Sequence, residues 1–136
     1  GFPSETDNDH SMTIKVLRSI EFDGIFAFKF SPRQGTKAAE LEKSINEEIM
    51  SHRLNDILGL QDDITLRKNA SLKGTPQEVL VEGVSKTDKG KITGRTRTNK
   101  IVNFEGGESL TGWLVSVEIR TAMRHSLEGT LISKNQ

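Results

Sequence analysis

The sequence predicts an α+β chain in two parts. Residues 1–73 read as helix, strand and long helix, a piece of a β/α barrel or doubly wound sheet, and residues 74–136 read as a small five-stranded all-β barrel. Three observations carry this. The apolar pattern changes from helical spacing to β-branched alternation after Gly74-Thr75-Pro76. Charge changes sign near the same place: residues 1–70 hold nine basic and twelve acidic side chains, residues 71–136 ten and seven, so a net charge of zero conceals two halves of opposite sign. Cysteine is absent from the 136 residues, which excludes a disulfide framework, a Cys nucleophile, a thiolate zinc site and any iron–sulfur cluster held by this chain itself. A hydrophobic content of 33% in patterned runs argues for a folded chain. No apolar run approaches the ~18 residues of a membrane span, and GFPSETDNDH lacks the basic region and apolar core of a signal peptide, so a cytoplasmic chain with no membrane partner is expected.

Thr6 is placed to cap a first helix, with Asp7 and Asp9 in the first turn, where the helix dipole favours negative charge. That helix runs to about Ile20. Met12, Val16 and Ile20 repeat at intervals of four, and Ile14 and Leu17 widen the stripe into an expected buried face. GIFAFKF at 24–30 reads as a strand apolar on nearly both sides, which suits the interior of an α/β sheet. A single strand cannot make a sheet, so its neighbours are expected outside this chain.

Ser44-Ile45-Asn46-Glu47 has the capping-box pattern and predicts a helix start. Ile45, Ile49, Leu54, Ile57, Leu58, Gln61 and Ile64 form an irregular stripe continuing to Ala70 and Leu72, until Gly74-Thr75-Pro76 ends the helix. The plain reading is a long helix packing on whatever precedes it. Beyond it, EVLVEGVSK, KITGRTRTNKIVNFEGG and GWLVSVEIRTAMRHSLEGTLI, punctuated by Asp88-Lys89-Gly90, Gly106-Gly107 and Gly129, predict the five strands.

The strongest chemical signal is the run from Lys86 to Lys100, with six basic residues against the single acid Asp88. If 91–99 is one strand, Lys91, Thr93, Arg95, Arg97 and Asn99 share a face. Polyanion binding and a solvated strand whose positive charge blunts an edge both fit that spacing. Only Phe104 and Trp113 are aromatic in this half, and both can be core residues, so any RNA contact should be mostly phosphate-directed. His10, His52 and His125 have no metal-ligand spacing and read as surface or packing residues. Asp62-Asp63 reads as a solvated helix face and Asn69-Ala70-Ser71 as a chance glycosylation sequon. The residues alone give a basic β-barrel joined to a piece of an α/β domain, with no active site.

GFPSET at 1–6, FDGIFAFKFSPRQGTKAA at 22–39, RLNDILGLQDDI at 53–64, VLVEGVSK from 79 and GRTRTNKIVNF to 104 together resemble the C-terminal part of the tRNA methylthiotransferases of the MiaB type. The resemblance runs through almost the whole chain. It implies the end of a radical-SAM β/α barrel over 1–73 and an OB-like TRAM barrel over 74–136. GFPSET looks like the segment leaving the fifth barrel strand, with Ser4 where the family commonly has a second glycine, and FAFKFSPRQGT like the sixth strand and its loop. Catalytic groups cluster at that end of such strands, so the resemblance brings Glu5, Ser31 and Arg33, with Pro32, toward an S-adenosylmethionine and substrate cavity. GRTRTNK resembles the family's RNA-contacting strand, which carries over Arg95, Arg97, Asn99 and Lys100; Lys91 joins them from the spacing. The family's chemistry implies S-adenosylmethionine and two 4Fe-4S clusters in the parent enzyme, none of the clusters held here, and methylthiolation of an isopentenylated adenosine beside the tRNA anticodon. The partners implied are tRNA and the N-terminal part of the parent chain, and these residues alone should be inactive. A non-catalytic RNA-binding module is the alternative; the sister family acting on a ribosomal protein lacks SPRxGT and GRTxxN.

Overall fold

In the computed structural model, which describes residues 1–41, 45–86 and 88–134, the chain divides into two units, Gly1–Thr65 and Leu66–Gln136. The first helix, α1 (Asp7–Ile20), begins as expected: Thr6 is extended, its hydroxyl accepts from the Asp9 N–H, and the Asp9 carboxylate accepts from the Thr6 N–H at 2.8 Å. This is a capping box with Asp in the third helical position. Its buried face is not the expected one. Leu17 is buried and His10 and Ile14 are half-buried, whereas Met12, Val16 and Ile20 are more than half exposed. At 100° per residue the 10–14–17 line lies on the far side of the helix from 12–16–20, and only the former meets other parts of the unit.

Residues 24–30 form no strand among the described residues. Ile25 and Ala27 are half-buried, but Phe26 and Phe28 are 94% and 82% exposed. Extended backbone becomes a strand only when a neighbour completes its hydrogen-bond ladder, and none does here. Phe30 is half-buried, its ring edge-on to Phe2 at 5.2 Å. After a 3-10 turn at Lys37–Glu40, capped by Thr36, helix α2 runs Glu47–Ala70. Ser44 of the expected capping box lies outside the described residues; Asn46 Oδ1 accepts from the Glu48 N–H at 2.7 Å at the start of the helix. Of the expected stripe Gln61 and Ile64 are buried, Ile45, Leu54 and Ile57 half-buried, and Ile49 and Leu58 exposed. Arg53 and Asn69, polar residues outside that stripe, are buried.

The second unit contains the five expected strands, β1 (Pro76–Val84), β2 (Ile92–Thr96), β3 (Ile101–Phe104), β4 (Leu114–Ala122) and β5 (Leu127–Lys134), closed in the order β1-β2-β3-β5-β4 with only β3 and β5 parallel. Alternation does the work: Val79, Val81, Ile92, Val102, Phe104, Val115, Val117, Ile119 and Leu127 point inward and are almost fully buried, with Leu72, Leu110, Ala122 and Leu131 packed against them. Two glycines let the small barrel close. A Cβ on Gly94 would meet the Leu80 carbonyl oxygen at 2.4 Å, and one on Gly129 the Glu118 carbonyl oxygen at 2.5 Å.

Candidate nucleic-acid interface

The basic stripe is not one strand face. β2 stops at Thr96, and Arg97, Thr98 and Asn99 make a three-residue loop into β3. Asn99 N–H donates to the Thr96 carbonyl (2.9 Å) and Thr96 N–H to the Lys100 carbonyl (3.0 Å), while Asn99 takes φ 63°. These are the marks of a tight turn closed by a left-handed residue, a place where Asn is tolerated and β-branched residues are not. Arg95, Arg97, Asn99 and Lys100 therefore gather at one end of the hairpin. Lys91 precedes the other end of β2, about five strand residues or ~17 Å away.

Sequence reasoning missed what holds these cations. Arg95 Nε lies 3.2 Å from Glu82 Oε1 and its Nη1 donates to Asn99 Oδ1 at 3.1 Å; Arg97 Nε lies 2.7 Å from Glu78 Oε1. Both glutamates stand on β1 around Leu80, which pairs with Arg95. The signal was present as Glu78-x-x-x-Glu82 opposite Arg95-x-Arg97, readable only once the β1–β2 register is known. Lys91 sits 2.8 Å from Glu128 and 3.6 Å from Asp88, and the Glu128 hydrogen bond, with the two carboxylate charges, outweighs desolvation and holds its ammonium above the usual lysine range. Lys100 Nζ donates to Asn69 Oδ1 at 2.9 Å, and Asn69 Nδ2 donates to the carbonyls of Met123 and Arg124. The supposed chance sequon is thus a buried amide tying the end of α2 to the β4–β5 connection. Arg97 remains 80% exposed in its side chain, Arg95 38%.

No hydrogen bond or ion pair joins Glu5, Ser31 and Arg33 to one another. Glu5 Oε2 accepts from Arg53 Nη1 at 2.8 Å, and Arg53 Nη2 donates to Asp7 at 2.7 Å. Burial pushes the Glu5 carboxyl up, but hydrogen bonds from the Gly1 ammonium and Arg53 outweigh it and leave the group below its ordinary value. Ser31 and Arg33 are exposed, and neither side chain has a polar partner among the described residues. Ser4 takes φ 70° in a turn closed by Glu5 N–H to the Phe2 carbonyl, with Pro3 before it, the type II pattern that favours glycine at that position. His10 Nε2 and His52 Nδ1 both lie 3.2 Å from Asp56 Oδ2, so these two histidines are not isolated, yet no group of three or more ligating side chains able to hold a metal occurs among the described residues.

Residues 70–132 match the TRAM domain family, a span that covers the whole hairpin and the core of the barrel. The chain is 53% identical over 133 residues to the tRNA-2-methylthio-N(6)-dimethylallyladenosine synthase of Thermodesulfovibrio yellowstonii, covering 98% of this chain and 30% of that protein. It is 47% identical to the synthase of the same name from a Sulfurihydrogenibium species and 44% identical to that of Carboxydothermus hydrogenoformans, each match covering 97% of this chain and 30% of the relative. The chain thus spans about 30% of the length of the relatives it matches. The barrel carries the match to the TRAM domain family, and the chain is similar through nearly its whole length to about 30% of the length of these tRNA-2-methylthio-N(6)-dimethylallyladenosine synthases.

Proposed function

We propose that this chain is the C-terminal segment of a cytoplasmic tRNA methylthiotransferase and that its barrel binds the tRNA substrate near the anticodon through Arg95, Arg97, Asn99 and Lys100, with Lys91 as an outlying contact. The parent enzyme adds a methylthio group to an isopentenylated adenosine. The observation that carries this is a cationic hairpin end on a TRAM barrel, in a chain whose relatives at 44–53% identity are named for tRNA modification. Guanidinium groups offer planar, bidentate contacts to phosphate, Asn99 can bridge to sugar or base, and the lysines add less directional charge. In this reading residues 1–73 complete a radical-SAM barrel and residues 74–136 are the RNA-binding domain, with the rest of the parent chain covering Phe26 and Phe28. Glu5, Ser31 and Arg33 face the S-adenosylmethionine side. The parent's two 4Fe-4S clusters do not fit these 136 residues, which contain no cysteine. No helix is long and apolar enough to cross a membrane among the described residues.

The test is a tRNA titration at several salt concentrations. Neutralising about three phosphates gives a slope of log affinity against log salt of roughly −2 to −3. Replacing Arg95 and Arg97 together by Ala should weaken every tRNA similarly and flatten the slope. An unchanged affinity would mean that the two arginines serve only their ion pairs with Glu82 and Glu78.

A further inference from the structure

We propose that Trp113 is a nucleobase-stacking residue: an unpaired base of bound RNA lies on the indole face that Lys134 now covers, and the displaced ammonium pairs with an adjoining phosphate. The proposal rests on the RNA-binding reading of the barrel and adds to it a contact with bases. Trp113 and Phe104 are the two aromatic residues of the barrel unit. Phe104 is spent on the core at 1% exposure, whereas Trp113 is 43% exposed at the entry to β4. Lys134 Nζ stands 3.4 Å from the indole centroid, so that face already attracts a cation from the end of β5 and is covered by a single flexible side chain. An exposed cation–π contact is weaker than a base–aromatic stack, and a long, flexible lysine can leave without disturbing the strand.

The surroundings fit a single strand. Arg95 pairs across β2 and β1 with Leu80, and Leu80 pairs across β1 and β4 with Leu114, the neighbour of Trp113. Leu80 and Leu114 are 46% and 42% exposed. Arg95, Leu80 and Leu114 share the outer face, whereas Trp113, whose carbonyl accepts from the N–H of inward-facing Val81 at 2.9 Å, alternates to the other side of the chain, so the ring lies beside that apolar patch and not in line with the guanidinium. An unpaired base is what the exposed ring can hold, and a duplex, with its bases stacked inside, cannot use it.

The chain has one Trp and no Tyr, so its indole emission reports on Trp113 alone. Oligoadenylate binding is followed by that emission and, in parallel, by the anisotropy of an end-labelled copy, with inorganic polyphosphate as a polyanion that has no bases. Stacking predicts strong quenching by oligoadenylate and none by polyphosphate. Trp113→Leu should weaken oligoadenylate by about five- to a hundred-fold while Trp113→Phe keeps most of the affinity; if Trp113→Leu fails to fold, the wild-type emission comparison decides. A rise in anisotropy with unchanged emission, or equal emission changes with both polyanions, overturns the stacking role and leaves RNA binding standing. No anisotropy change overturns RNA binding, and the stacking role with it.

Discussion

At the scale of single residues, the departures from expected residue type and from expected burial have local physical causes. Ser4 stands where the resemblance leads one to expect glycine, and its φ of 70° is a conformation that favours glycine. A left-handed conformation costs a residue with a Cβ about 1–2 kcal/mol, and glycine costs roughly 0.5–1 kcal/mol more unfolded-chain entropy than such a residue. The difference is small but has a sign. Ser4→Gly should stabilise the first unit by about 0.5–1 kcal/mol, measured as a shift of its denaturant midpoint at constant slope. A loss of stability would mean that the Ser4 hydroxyl, exposed here, does something the backbone does not explain. Asn99 is the opposite case, since at φ 63° it already is a residue that the left-handed region tolerates.

At the scale of elements, the cationic hairpin is half neutralised by the outer face of the neighbouring strand β1. Glu78 and Glu82 hold Arg97 and Arg95 at 2.7 and 3.2 Å, so an incoming phosphate has to compete with carboxylates for both guanidiniums. These are surface ion pairs, worth little to stability and screened by salt. Glu78→Gln with Glu82→Gln should therefore leave the barrel as stable within about 0.5 kcal/mol, yet tighten tRNA several-fold by freeing the guanidiniums and removing two like-sign charges from the phosphate's path. Equal or weaker binding would show that the glutamates position the arginines rather than compete for them. The register explains what was legible beforehand. The five strands follow from their own alternation, as did the cap at Thr6, because these are local chemistry. Which acids face which bases depends on β1 lying beside β2 with a shift at Val81/Gly83, and nothing in the run from Lys86 to Lys100 encodes it. The expected single face over 91–99 failed for a related reason: the loop at 97–99 interrupts the strand, and it is signalled only by an Asn able to adopt positive φ.

At the scale of the whole molecule, the two units differ in how completely their elements satisfy one another. In the barrel every strand has two neighbours and nine apolar side chains are almost fully buried. In the first unit the apolar patterns are present, but most of the burial they predict is not. Met12, Val16, Ile20, Phe26 and Phe28 carry the periodicity of buried positions and are exposed, because periodicity reports what a segment can pack and not whether a partner is within the same 136 residues. Hydrogen exchange follows from this contrast. Amides of β1 to β5 that sit in the closed ladder should exchange only through opening of the barrel and share its protection. Amides of residues 24–30, extended but without a ladder, should exchange orders of magnitude faster, and those of α1 should fall between because its hydrogen bonds are internal while only Leu17 is buried. If the proposed parent chain supplies the neighbouring strand, adding the rest of it should raise protection at 24–30 and leave the barrel strands as they were. Strong protection of 24–30 in a dilute monomer of the chain alone would overturn the view that Phe26 and Phe28 await a neighbouring strand.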